Sequence, residues 1–154
     1  MQLIGDSIEL SNYIYPRISP DGTRLALDDR NPERDVWIWN FATETRTRFS
    51  VGEGGGAYPT WTPDGGRIAY DGSDGTFWRA ANNTGSSECI LDENVNPYFF
   101  SPSGTEIVFR GADNNIGMIS VAGSSQSLIT GSLLSMPPPS SQKANASSSS
   151  RARK

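Results

Sequence analysis

The sequence contains no histidine, which removes the commonest general base and the commonest metal ligand from any chemistry it could perform. A Ser-His-Asp or Cys-His arrangement is therefore excluded. Both lysines, Lys143 and Lys154, fall in a serine-rich C-terminal stretch, so a Ser-Lys pair has no rigid support. The single cysteine, Cys89, permits neither an internal disulfide nor a zinc cluster; it is expected to pack as a small hydrophobe in a strand. Carboxylates remain, and among 17 acids some pair can always meet at the separation glycosidases use. Asp21 and Asp64, however, are better explained as turn residues.

Two acidic stretches invite a metal reading. Asp71-Gly72-Ser73-Asp74-Gly75 is rich in oxygen but lacks the aspartate spacing and terminal glutamate of an EF-hand loop, so it reads as an inter-strand loop. Asp28 and Asp29, followed by Glu33 and Asp35, are interleaved with Arg30 and Arg34, which predicts ion pairing at the surface. Neither predicts a metal site, and nothing points to a cofactor. The tryptophans at 37, 39, 61 and 78 could form a sugar-stacking platform, but they sit at recurring strand positions, which favours core packing. The sequence thus points away from catalysis and towards binding.

The elements that would carry such a surface are set by a repeat. Tyr15-Pro16-Arg17-Ile18-Ser19-Pro20-Asp21-Gly22 returns as Tyr58-Pro59-Thr60-Trp61-Thr62-Pro63-Asp64-Gly65 and as Pro97-Tyr98-Phe99-Phe100-Ser101-Pro102-Ser103-Gly104. The marker prolines Pro20, Pro63 and Pro102 are 43 and 39 residues apart, a period typical of propeller blades. Proline presets the first corner of a type I turn, and the glycine takes the left-handed conformation that closes a bulged hairpin. The segments after the turn, Leu25 to Leu27, Ile68 to Tyr70 and Ile107 to Phe109, are apolar without alternation, as in strands buried on both faces. Each unit then offers a polar loop, a third strand and a fourth.

This repeat resembles the TolB-type, WD-40-like β-propeller repeat of bacteria, which combines an aromatic residue, Ser/Thr-Pro-Asp-Gly and a short apolar strand; the resemblance covers residues 15 to 130. Asp35-Val36-Trp37-Ile38-Trp39, Trp61 to Gly65 and Phe77 to Ala81 with Thr84-Gly85 are similar to the propeller attached to some bacterial serine/threonine kinases. No kinase motif is present, so kinase activity does not follow. Ser103 departs from the pattern by replacing the turn aspartate, and Asn82-Asn83 stands where the family often has Asp-Gly; both predict locally weaker turns.

The expected architecture is all-β: a partial β-propeller of about three four-stranded antiparallel blades over 15–57, 58–96 and 97–131, preceded by a blade remnant at 1–14 and followed by a disordered tail at 132–154. Its turns are carried by Pro20, Asp21 and Gly22, by Pro63, Asp64 and Gly65, and by Pro102 and Gly104. Composition is 35% hydrophobic, enough for a modest core, and no run of apolar residues is long enough to span a bilayer. Residues 1–131 hold nine arginines against all 17 acids, a balance that repels nucleic acid phosphates.

The second-to-third strand loops and inter-blade connections share the rim opposite the proline turns, and they differ between repeats. They are the expected contact surface for a protein or small-molecule ligand: Asp28, Asp29, Arg30, Arg34, Asp71, Asp74, Asp113 and Asn114. The function implied is a non-catalytic recognition module, a sensor portion of a larger bacterial receptor or kinase. The alternative is the severed gating propeller of a prolyl-oligopeptidase-like peptidase. A periplasmic location follows only if the chain belongs to an envelope protein. Propellers close with 4–8 blades, so three blades are expected to need further blades or self-association.

Overall fold

The computed structural model describes residues 12–31, 34–50, 55–121 and 128–129. Among them are twelve strands and no helix: β1 (Tyr13–Ile18), β2 (Arg24–Asp29), β3 (Asp35–Asn40), β4 (Thr45–Arg48), β5 (Ala57–Trp61), β6 (Arg67–Asp71), β7 (Thr76–Ala80), β8 (Glu88–Leu91), β9 (Asn96–Phe100), β10 (Glu106–Arg110), β11 (Ile116–Ser120) and β12 (Leu128–Ile129). They form three four-stranded sheets, β1-β2-β3-β4, β5-β6-β7-β8 and β9-β10-β11-β12, with every neighbouring pair antiparallel. Each is a meander in chain order, the form of a propeller blade. The proposed tail and residues 1–11 of the blade remnant lie outside the described residues.

Each proline turn is fixed by its own residues. The Gly22, Gly65 and Gly104 amides donate to the carbonyls of Ser19, Thr62 and Ser101, each at 2.8 Å, and their φ angles of 72°, 67° and 74° are left-handed values that glycine adopts without a Cβ clash. Asp21 Oδ1 accepts from Thr23 N at 3.0 Å and Asp64 Oδ1 from Gly66 N at 2.9 Å. Hydrogen bonds from Ser19 and Thr23 pull the Asp21 carboxyl down to about 2. In the third turn Ser103 cannot play this part alone. Glu106 takes it over: Oε2 accepts from the hydroxyls of Ser101, Ser103 (3.1 Å) and Thr105 (2.8 Å). The carboxylate lost from the corner returns from the first residue of β10.

Alternation along the second strand of each blade splits its side chains between two seams. Ala26, Val36, Ile38 and Phe49 of the first blade pack with Trp61, Ile68, Tyr70 and Ala81 of the second. On its other face the second blade presents Ala69, Ile90, Leu91 and Val95 to Ile107, Phe109 and Ile119 of the third. Tyr70 and Ile68 are fully buried and Phe49 is 1% exposed, so these seams hold the sheets together.

Several local expectations change. Asp28 and Asp29 do not open a polar loop; they end β2, at 0% and 6% exposure. Asp71 likewise ends β6. Cys89 lies in β8 but is exposed, its thiol directed at Asp92 Oδ1 at 3.2 Å. Only Trp61 of the four tryptophans is buried; Trp78 is half-buried beneath Arg67, with its indole N–H on Glu88 at 2.9 Å.

Candidate functional site

The rim opposite the proline turns is built around a buried carboxylate. Asp28 shares the face of β2 that carries Ala26 into the first seam, and its Oδ2 accepts the backbone N–H of Tyr58 from the next blade at 3.3 Å. Arg30 reaches the same oxygen at 3.3 Å and Arg34 at 4.0 Å. These arginines do pair with an acid, but with a buried one rather than at the surface. Burial pushes the Asp28 carboxyl up, against the Tyr58 amide and the two guanidinium groups. Asp28 Oδ1 and Arg30 Nε are buried with no hydrogen-bond partner.

Two tyrosines complete this cluster. Tyr15 and Tyr58 sit at matching irregularities where β1 and β5 slip register against their neighbours, with φ of 50° and 52°. A bulky side chain in the left-handed region costs on the order of 1–3 kcal/mol and marks a constrained site. Their rings lie 4.7 Å apart between centroids. Arg30 lies over both, at 5.6 Å and 5.3 Å, and Arg34 over Tyr58 at 5.8 Å. The Arg30 guanidinium at its hydroxyl lowers the pKa of Tyr58 against the effect of burial. Sequence reasoning saw the tyrosines only as repeat markers.

In the third blade Pro97 occupies the position of Tyr58, following Asn96 as Tyr58 follows Ala57. Proline has no N–H to donate. Asp71, the counterpart of Asp28, is instead held through Oδ1 by Asn94 Nδ2 at 3.0 Å. Burial pushes its carboxyl up to about 6, opposed by Asn94 and Arg34 and assisted by Asp28. Arg34 and Asp71 line one cavity of about 160 Å³ with Gly55, Gly56, Ala57, Gly72 and Ser73.

Of the anticipated rim residues, Asp28, Arg30, Arg34 and Asp71 therefore converge. The others do not join them. Asp29 closes its own turn, accepting from Asn31 N at 3.0 Å and Asn31 Nδ2 at 2.6 Å. Asp113 does the same for Asn115 in the loop after β10. Asn114 has φ 65° and accepts from Arg110, and Asp74 is exposed beside Ser73. The opposite end of the inner strands holds an apolar cavity of about 460 Å³, walled by Ile18, Trp61, Tyr98, Phe99 and the three turn prolines.

No protein-family model and no curated protein matches the chain. Solved structures do. The chain superposes on TolB of Agrobacterium tumefaciens with a TM-score of 0.63 at 24% identity, covering 74% of this chain and 48% of that one. It superposes on TolB of Acinetobacter baumannii at 0.59 and 19% identity, covering 73% and 33%. The GH74 enzyme of Niastella koreensis matches at 0.55 and 14% identity, over 73% and 22%. The chain thus spans less than half the length of each of these proteins. With three meandering four-stranded sheets, the proline turns and these neighbours in agreement, the fold is that of a TolB-type β-propeller.

Proposed function

We propose that the chain is a non-catalytic recognition module that binds its partner through the rim carrying Asp28, Arg30, Arg34, Tyr15, Tyr58 and Asp71. The observation that supports this most is the pair of tyrosines held in left-handed backbone under two arginines, both anchored on one buried carboxylate. Such a platform presents aromatic and guanidinium surface, the groups that dominate interface hot spots. Catalysis by a carboxylate pair fits less well. Asp28 helps to raise the Asp71 carboxyl, but Asp28 is 0% exposed and cannot flank a bond in a substrate. The sensor role in a larger receptor and the peptidase-gating role differ in the parent protein they require. A kinase domain or a Gly-x-Ser-x-Gly elbow encoded alongside would decide between them.

The test is a selection of binders from a random peptide library on the immobilised chain, followed by titration against variants of each rim. Arg30→Ala and Arg34→Ala should each weaken the selected binders at least tenfold, about 1.4 kcal/mol, while Asp21→Asn and Asp64→Asn leave them unchanged. The opposite pattern assigns recognition to the proline-turn rim and removes the proposal.

A further inference from the structure

The cavity lined by Arg34 and Asp71 brings together two residues of opposite charge that do not pair. Asp71 Oδ1 is occupied by Asn94 at 3.0 Å, and no donor meets Oδ2 among the described residues. Arg34 is fixed by its backbone, its N–H donating to Asn31 O at 2.8 Å and its C=O accepting from Gly56 N. Its guanidinium shares Asp28 with Arg30 and is the looser partner at 4.0 Å. With five N–H donors, it keeps capacity for a second acceptor. The Arg34 charge lowers the Asp71 carboxyl, yet no ion pair within 4.0 Å joins them among the described residues. An acidic and a basic residue thus line one space without pairing.

The volume limits what can enter. At about 160 Å³ the cavity falls below the roughly 300–1,000 Å³ of drug-sized sites and corresponds to about five water volumes. A ligand with a single charge would meet only one of the two residues, whereas a ligand carrying both charges meets Asp71 and the half-exposed Arg34 guanidinium together. We propose that this cavity binds a small zwitterion of the α-amino acid class, its ammonium on Asp71 and its carboxylate on Arg34. The inference rests on the reading of this rim as the recognition surface and names the ligand chemistry of one part of it.

The experiment titrates the ¹⁵N-labelled chain with glycine, L-alanine and L-serine, using ethylamine and propionate as singly charged controls. Saturable shifts of the Gly55, Gly56 and Gly72 amides are expected, with the zwitterions binding at least tenfold more tightly than either control. Asp71→Asn and Arg34→Gln should each weaken binding tenfold or more. Asn is isosteric with Asp and keeps an acceptor for Asn94, so that variant retains the fold. Ser73→Phe, at an exposed position lining the cavity, should block entry without touching either charge. Absence of saturable shifts, equal binding of a singly charged control, or undiminished binding by Asp71→Asn overturns the inference. If amino acids fail to bind while selected peptides still depend on Arg30 and Arg34, this inference alone falls. If amino acids bind while peptides depend on the other rim, the broader reading alone falls.

Discussion

Replacing Asp71 by Asn should stabilise the folded protein at pH 7, and the gain should vanish on acidification. The folded-state carboxyl lies at about 6 against an ordinary 3.8 because burial disfavours its charge. A displacement of two units corresponds to about 3 kcal/mol at 1.36 kcal/mol per unit. Asp71 is only partly buried at the rim, so solvent screening reduces this to about 1–1.5 kcal/mol. The folded value is the higher one, so the folded protein takes up this proton first as the pH falls. Wild type therefore recovers stability between about pH 6 and pH 4, and the variant, which has nothing to titrate there, does not. Thermal unfolding of both proteins at half-unit intervals from pH 7.5 to 4 should show the variant ahead by roughly 4–8 °C at pH 7, with the two converging near pH 4. A variant less stable at pH 7, or a gap that widens on acidification, would refute burial as the dominant influence on this group.

Other consequences follow from the seams and turns. A Cβ at Gly117 would lie 2.6 Å from Phe109 Cζ, and Phe109 is 5% exposed, so Gly117→Ala should cost about 1–3 kcal/mol by overpacking; an unchanged urea midpoint would contradict the second seam. Glu106→Gln should lower the unfolding temperature at neutral pH, since hydrogen bonds from Ser101 and Thr105 hold its carboxyl below the ordinary 4.5. That stability is present above the ordinary value and lost as the pH falls below it, so the two proteins should converge in acid; a constant difference would show that the charge is irrelevant. The 154-residue chain should also associate or bind a dye for exposed apolar surface in sedimentation equilibrium and fluorescence. A stable, dye-free monomer with a sharp transition would count against the need for further blades or a second copy.

What the sequence revealed was whatever its local chemistry determines. Pro-Asp-Gly dictates its turn through contacts within a few residues, so Gly22 and Gly65 were legible, and the period between them implied the blade. The carboxylate of the third turn was not legible because Glu106 lies beyond the motif, and a longer side chain reaching back leaves no pattern. The site was half legible. Arg30 and Arg34 stood out as polar residues in a variable loop. The burial of Asp28 did not, because it depends on the Tyr58 amide from the next blade. Nor did Tyr15 and Tyr58, which are 43 residues apart and meet only when two blades stack, in a backbone conformation that tyrosine does not favour. Cys89 was misplaced because strand propensity does not say which face meets a neighbour.

Recognition by this propeller turns on which rim meets a ligand. The most direct measurement is amide shift mapping of the ¹⁵N-labelled chain with a library-selected peptide at saturation. Shifts concentrated at Arg30, Arg34, Tyr58 and Gly72 are expected, with Gly22, Gly65 and Gly104 unmoved. Shifts at those three turn glycines, with the Arg30 to Gly72 group silent, would contradict this.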